Sequence, residues 1–295
     1  MTHAHRTRRL VPGLVAGLLI AMIGGTAHAA TLAHWTFDNG TVPNAIASDT
    51  DTEASIEVTP FTGDPVGTVS YTTGPTGFDT AANFDAQVGL RSAPRSGTLT
   101  GLSALTVEAF VNLDSASGAM NIFRKTALWL GSGNDGDAED GFSFILSDGK
   151  PILRLGRDSE GNAADRDMAA VEATDAIATG QWVHLAGTWD GSAGDLKLFV
   201  DGVEVTTTAV EQGTTGNFFP TTLTNPLNDA SNDGPAAIGA IDRGGDSFGQ
   251  FFDGSIDEVR ISDEALSPSA FIPEPATMGL LAVGGVVMLA RRRRG

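Results

Sequence analysis

The 295-residue sequence predicts an all-β sandwich of two antiparallel sheets, carried between two export segments. Short apolar or alternating runs recur through the body of the chain, punctuated by Gly, Asn and Asp, the pattern of a sandwich or barrel. Long stretches with helical period are missing from that body, which is rich instead in Gly, Thr, Ala, Asp and Val. Two Asp-Gly pairs, Asp148-Gly149 and Asp201-Gly202, each stand between strand-like runs, the strongest short-range hairpin signal.

Taken in order, Thr31 to Phe37 reads as the first strand, and Thr106 to Leu113 as a strand rich in β-formers, bounded by Gly101 and Asp114-Ser115. Gly141–Leu146 and Ile152–Leu155 form the hairpin around Asp148-Gly149. Gln181 to Asp190 reads as a strand with Val183, Leu185 and Trp189 on one face. Leu196–Val200 and Val203–Val205 form the second hairpin, and Ala237–Ile241, Phe252–Ile256 and Glu258–Ile261 follow as strands. Ser262 to Leu266 is expected to be a capped helical turn, and Thr207 to Pro235, with Pro220 and Pro226, a long surface loop. Strands between 40 and 100 are placed only loosely.

Residues 1–29 carry Arg6, Arg8 and Arg9, then an apolar stretch from Leu10 to Ile23, then Ala27-His28-Ala29. That is a signal peptide, cut most simply after Ala29. Its apolar part is too short to span a hydrocarbon core of about 30 Å. The other end, 273–295, reads Pro273-Glu274-Pro275, an apolar run from Ala276 to Ala290, then Arg291, Arg292, Arg293 and Arg294. The prolines separate this run from what precedes it, so it is expected to form a short transmembrane helix of its own. The arginines hold its end on the cytoplasmic side, with the body outside.

Residues 31–272 hold 35 acidic against 11 basic residues, a net charge of −24. Such a surface argues against nucleic acid or anionic lipid as partner and favours divalent cations. With no cysteine, the exported fold relies on its core.

The Pro-Glu-Pro, apolar run and arginine cluster together resemble the PEP-CTERM sorting signal of Gram-negative bacteria. The resemblance implies transient membrane insertion, processing by an exosortase-type enzyme, and delivery to the cell surface, outer membrane or extracellular matrix of a cell that makes exopolysaccharide and biofilm. The body, 30–272, resembles the laminin-G-like, concanavalin A-like jelly roll. The residues that carry this are His34–Asp38, Leu105–Val111, Gln181–Gly191, Leu196–Gly202 and Gly254–Ile261. It implies two stacked antiparallel sheets with the first and last strands adjacent.

An enzyme on this scaffold would most often present Glu-x-Asp-x-x-Glu, alternate carboxylates on one strand face, and no such run occurs. Asp257 and Glu258 are adjacent and are expected to point to opposite faces, and His34 and His184 read as packed strand histidines. In related jelly rolls a calcium ties the start of the chain to its end. The matching positions are Asp38 and Asp257, with backbone carbonyls of the Asn39-Gly40 turn completing the shell, since Ca²⁺ takes six to eight oxygens. The rival expectation is that Asp38 caps a turn while Asp257 pairs with Arg260 or lies exposed. Asp135, Asp137, Glu139 and Asp140 fail as an EF-hand, with Asp140 at position six and Leu146 at position twelve, and read as a solvated loop.

For carbohydrate, exposed aromatics are needed. Trp35, Trp182 and Trp189 read as core, which leaves Trp129, beside Arg124 and Lys125 and followed by the loop with Asp135 and Asp137, as the best candidate. Phe218, Phe219, Phe248 and Phe251 are others. The expectation is a binding protein for polysaccharide or a surface protein rather than an enzyme. A polysaccharide-acting enzyme and a purely structural biofilm-matrix protein stay open as alternatives.

Overall fold

The computed structural model describes residues 30–38, 58–60, 69–85, 88–92, 99, 101–128, 139–157, 167–212, 217–218, 220–224, 235–242 and 248–272. The strands in chain order are β1 (Thr31–Trp35), β2 (Val58–Pro60), β3 (Ser70–Thr73), β4 (Thr80–Asp85), β5 (Leu90–Ser92), β6 (Ala104–Leu113) and β7 (Ala119–Leu128). Then come β8 (Glu139–Ser147), β9 (Lys150–Arg157), β10 (Asp167–Ala173), β11 (Trp182–Asp190), β12 (Asp195–Val200), β13 (Val203–Glu204) and β14 (Thr207–Ala209). The last are β15 (Glu211–Gln212), β16 (Asn217–Phe218), β17 (Ala236–Ile238), β18 (Ile241–Asp242), β19 (Phe248–Gly249) and β20 (Asp253–Ser262).

One eight-stranded sheet runs β13-β12-β11-β6-β20-β4-β3, with β1 also on β20; the other runs β14-β10-β9-β8-β7-β17-β5-β2. The first strand therefore lies beside the last, Trp35 opposite Val259. Both Asp-Gly pairs turn their hairpins with φ positive at each residue, 49° and 77° at Asp148-Gly149 and 49° and 73° at Asp201-Gly202, as a type I′ turn demands.

Alternation decides which side chains enter the core between the sheets. Val107, Ala109 and Val111 on β6, Val183, Leu185 and Trp189 on β11, and Phe142, Phe144 and Leu146 on β8 all join one buried core. Trp35 packs on Phe123 at 5.8 Å between ring centroids, and Phe123 stacks on Phe142 at 5.4 Å. Each such side chain removed from water stabilises the fold by roughly 1.5–3 kcal/mol.

Four expectations are corrected. Trp182 is not core: Val183 takes the inward position, and the indole stands partly exposed on the outer face of the first sheet. Ser262 to Leu266 forms no helix; a 3-10 turn lies later, at Pro268–Ala270. The segment after Thr207 is not all loop, since β14 extends the edge of the second sheet on β10, and the amide of Ala170 donates to the carbonyl of Pro220. Glu258 does not oppose Asp257 across the sheet. The pairing of β20 with β6 slips between Asp257 and Arg260, a bulge with Glu258 at φ 52°, so Glu258 reaches the outward-facing His34. The expected signal peptide at 1–29, all of 39–57, residues 129–138 and the tail from Pro273 lie outside the described residues.

Candidate functional site

The outer face of the first sheet gathers the polar side chains that the core excludes. On β20 the bulge brings Asp257 beneath the turn that joins β3 to β4. Asp257 is 0% exposed. Its Oδ1 accepts from the amide of Glu258 at 2.9 Å, while its Oδ2 accepts no hydrogen bond from any described residue. A Cβ on Gly74 would sit 2.9 Å from that oxygen, so the turn closes tightly over the carboxyl. Burial pushes Asp257 up to about 9, aided by the negative charge of Glu258 and then that of Asp38.

Asp38 follows β1 and is exposed, its Oδ1 receiving the amide of Thr80 at 3.4 Å. Phe37 before it has φ 56°, and its carbonyl accepts from the Thr80 hydroxyl at 2.7 Å. The structure thus brings Asp38 and Asp257 close enough to repel one another electrostatically. A divalent cation suits this pair, because it supplies the partner that Oδ2 lacks and favours the ionised acid. Among the described residues no three His, Asp or Glu side chains converge as a metal cluster, so carbonyls and water would complete any shell. Gly40 lies outside the described residues.

A second constellation surrounds Glu108 on β6, also 0% exposed. Its Oε2 accepts from the amide of Ile272 at 2.8 Å and lies 2.9 Å from His184 Nε2. Its Oε1 accepts from Arg260 Nε at 2.7 Å and also from Nη2. Arg260 Nη2 donates in turn to the carbonyl of Ala270 at 2.7 Å. Phe271 packs between the rings of His184 and Phe199. These contacts hold the last described residues flat on the first sheet. Close by, His34 Nε2 lies 2.6 Å from Glu258 Oε2. Both strand histidines are packed and paired, as their strand positions implied.

Arg124 sits in β7, 8% exposed, between Ser143 of β8 and Ala237 of β17. Trp129, Asp135 and Asp137 lie outside the described residues, as do Pro273, Glu274, Pro275 and Arg291 to Arg294. Phe248 lies under the Arg91 guanidinium, 5.6 Å from ring centroid to Cζ. The aromatic that sequence reasoning missed is Trp182. The signal was available: Val183, Leu185 and Trp189 were read as one face, and position 182 belongs to the other.

Residues 82–270 match the model of the concanavalin A-like lectin/glucanases superfamily, Laminin_G_3. The chain belongs to this family. Residues 271–294 match the PEP-CTERM protein-sorting motif, which marks an exported protein of a Gram-negative cell envelope and implies processing by an exosortase. Among solved structures, domain 4 of AbnA, a GH43 extracellular arabinanase from Geobacillus stearothermophilus, in complex with arabinotriose, is 22% identical over 82% of this chain and 96% of its own, with a TM-score of 0.50. The binding domain of Paraclostridial Mosquitocidal Protein 1 is 11% identical over 81% of this chain and 50% of its own, also at 0.50. At these identities the likeness is one of fold. No curated protein matches the sequence.

Proposed function

We propose that this laminin-G-like protein binds carbohydrate at the cell surface or in the extracellular matrix, carries one structural Ca²⁺ at Asp38 and Asp257, and is not a hydrolase. The observation that carries the reading is what the buried carboxyls of the first sheet already do. Glu108 is engaged by Arg260, His184 and the Ile272 amide, and Glu258 by His34. Without a cation, Asp257 is held protonated by its burial. A glycosidase needs two carboxyls flanking an open cleft, about 5–9.5 Å apart, with one ionised. These three are committed to the fold instead. The arabinanase domain of similar fold, solved with an arabinose oligosaccharide, supports sugar as the ligand class.

The mature exported protein on a glycan array, with and without EDTA, tests this. Retention of a defined polysaccharide without release of reducing sugar is the expected outcome. Release of product would assign an enzyme, and silence on both counts a structural matrix protein.

A further inference from the structure

Five consecutive strands of the first sheet, β11-β6-β20-β4-β3, place Trp182, Asn112, Ser255, Asn83 and Ser70 in one register row. All five share the outer face, because Val183, Val111, Leu113, Ile256, Ala82 and Phe84 beside them enter the core. The row is an indole followed by amide, hydroxyl, amide and hydroxyl, with no charge in it. At about 4.8 Å per strand it is roughly 19 Å long, the reach of a short oligosaccharide. Trp182, Asn112 and Asn83 are partly exposed and Ser70 is exposed, while Ser255 at the centre is buried and serves to orient Asn83.

The amide of Asn83 is fixed: its Nδ2 donates to the Ser255 hydroxyl at 3.0 Å and to the Gly254 carbonyl at 3.3 Å, and its Oδ1 accepts from Ser70 at 3.3 Å. Asn112, in contrast, is partly exposed but has an Oδ1 that is itself shut off from solvent and takes no hydrogen bond from any described residue. An acceptor left in that state costs about 1–3 kcal/mol unless something else supplies a donor. One flank of the row is aromatic, with Phe110 under the partly exposed Phe78 at 5.3 Å between centroids. The other flank carries Asp114, Asp253 and Asp85, Asp253 standing opposite Asp85 in register and its carbonyl receiving the Asp114 amide.

The geometry points to this row as a binding strip for a neutral, hydroxyl-rich polysaccharide, with one sugar face on Trp182 and sugar hydroxyls on Asn112 Nδ2 and on the remaining acceptor capacity of Asn83 Oδ1. A sugar offers both the apolar face an indole takes and the paired donors and acceptors an amide takes. The aspartates repel an acidic glycan and accept hydroxyl donors from a neutral one. The assignment rests on the carbohydrate-binding reading above and names its surface and ligand class.

Affinity gels containing arabinan or alginate, run with the mature exported protein, test it. Wild type is expected to be retarded by arabinan at any salt concentration and not by alginate. Trp182→Ala is expected to weaken that retardation about tenfold, the scale of a lost aromatic contact. Asn112→Ala removes an amide whose oxygen takes no hydrogen bond from any described residue, so it should not lower the melting temperature while weakening binding about threefold, the loss of one hydrogen bond from Nδ2. Arabinan binding that survives both substitutions overturns the strip and leaves the carbohydrate reading standing. Salt-sensitive binding to alginate alone overturns the neutral class. No retardation by either polymer, with a glycan array equally silent, overturns both readings.

Discussion

A single carboxyl, Asp257, separates the behaviour of this protein from that of an ordinary acidic jelly roll. Its titration is raised from the usual 3.8 to about 9. Between those values the unfolded chain has lost the proton and the folded chain keeps it, so folding takes up a proton. Stability of the metal-free protein must then fall as pH rises, by at most about 1.4 kcal/mol per unit for this one group. Thermal melts in EDTA from pH 5 to pH 8 should show that slope in wild type, and Asp257→Asn should flatten it; equal slopes would refute the assignment. Added calcium should raise the wild-type melting temperature at pH 8 by binding the folded state, and less at pH 5, where the proton competes. The same variant should lose the response; a calcium shift that persists in it would sink the site. Glu108 is the contrasting case, buried but fully answered by donors. Glu108→Ala strands Arg260 and His184 in place, so a loss of about 3–5 kcal/mol is expected in urea unfolding. Asp38 and Asp257 were singled out in the sequence only because they match positions of related jelly rolls; the burial of Asp257 had no signal there. The bulge that turns Glu258 to the same face was not, because period-two alternation assumes an unbroken ladder.

At the scale of elements, turn chemistry and inward alternation were readable, and irregularities were not. Asp148-Gly149 and Asp201-Gly202 announced their hairpins because few residue pairs accept two positive φ angles. Trp182 misled because an aromatic in a strand suggests core, whereas its neighbour Val183 already filled the inward place. The run Ala237–Ile241 looked like one strand, yet Gly239 at φ 75° breaks it into β17 and β18, and the amide of Gly239 bonds the carbonyl of Ile122. A Cβ there would run into the Phe84 ring, which is itself 0% exposed. Gly239→Ala should therefore cost more than the ~1 kcal/mol of backbone strain alone, through both conformation and overpacking. A shift in the urea midpoint no larger than that of a Gly202→Ala control, where a Cβ meets nothing within 4 Å, would contradict this.

Over the whole molecule, the sandwich was legible because its signals repeat along the chain, while the ligand surface was not, because it assembles from five strands far apart in sequence. The C-terminal sorting motif is an address for the acidic body that precedes it. Deleting 273–295 should leave the domain folded and send it unsorted into periplasm or medium; recovery from the same surface fraction as the intact chain would argue that the tail does not sort. The sorting match begins at residue 271, and Phe271 and Ile272 are already seated in the fold, so the motif starts on residues that the domain itself holds. That arrangement has a mechanical side. A pull on the tail first meets the bonds of Ile272 to Glu108 and of Ala270 to Arg260, then runs lengthwise into β20. This strand is paired with β6 on one side and with β4 and β1 on the other, so the tension acts in shear on many hydrogen bonds together instead of peeling them one by one. Ser255 in the glycan strip lies on that same strand. A cell tethered by this tail to a polymer on the strip would carry its drag along the most heavily bonded line of the protein, where the unfolding rate, not the equilibrium stability, sets how long the tether lasts.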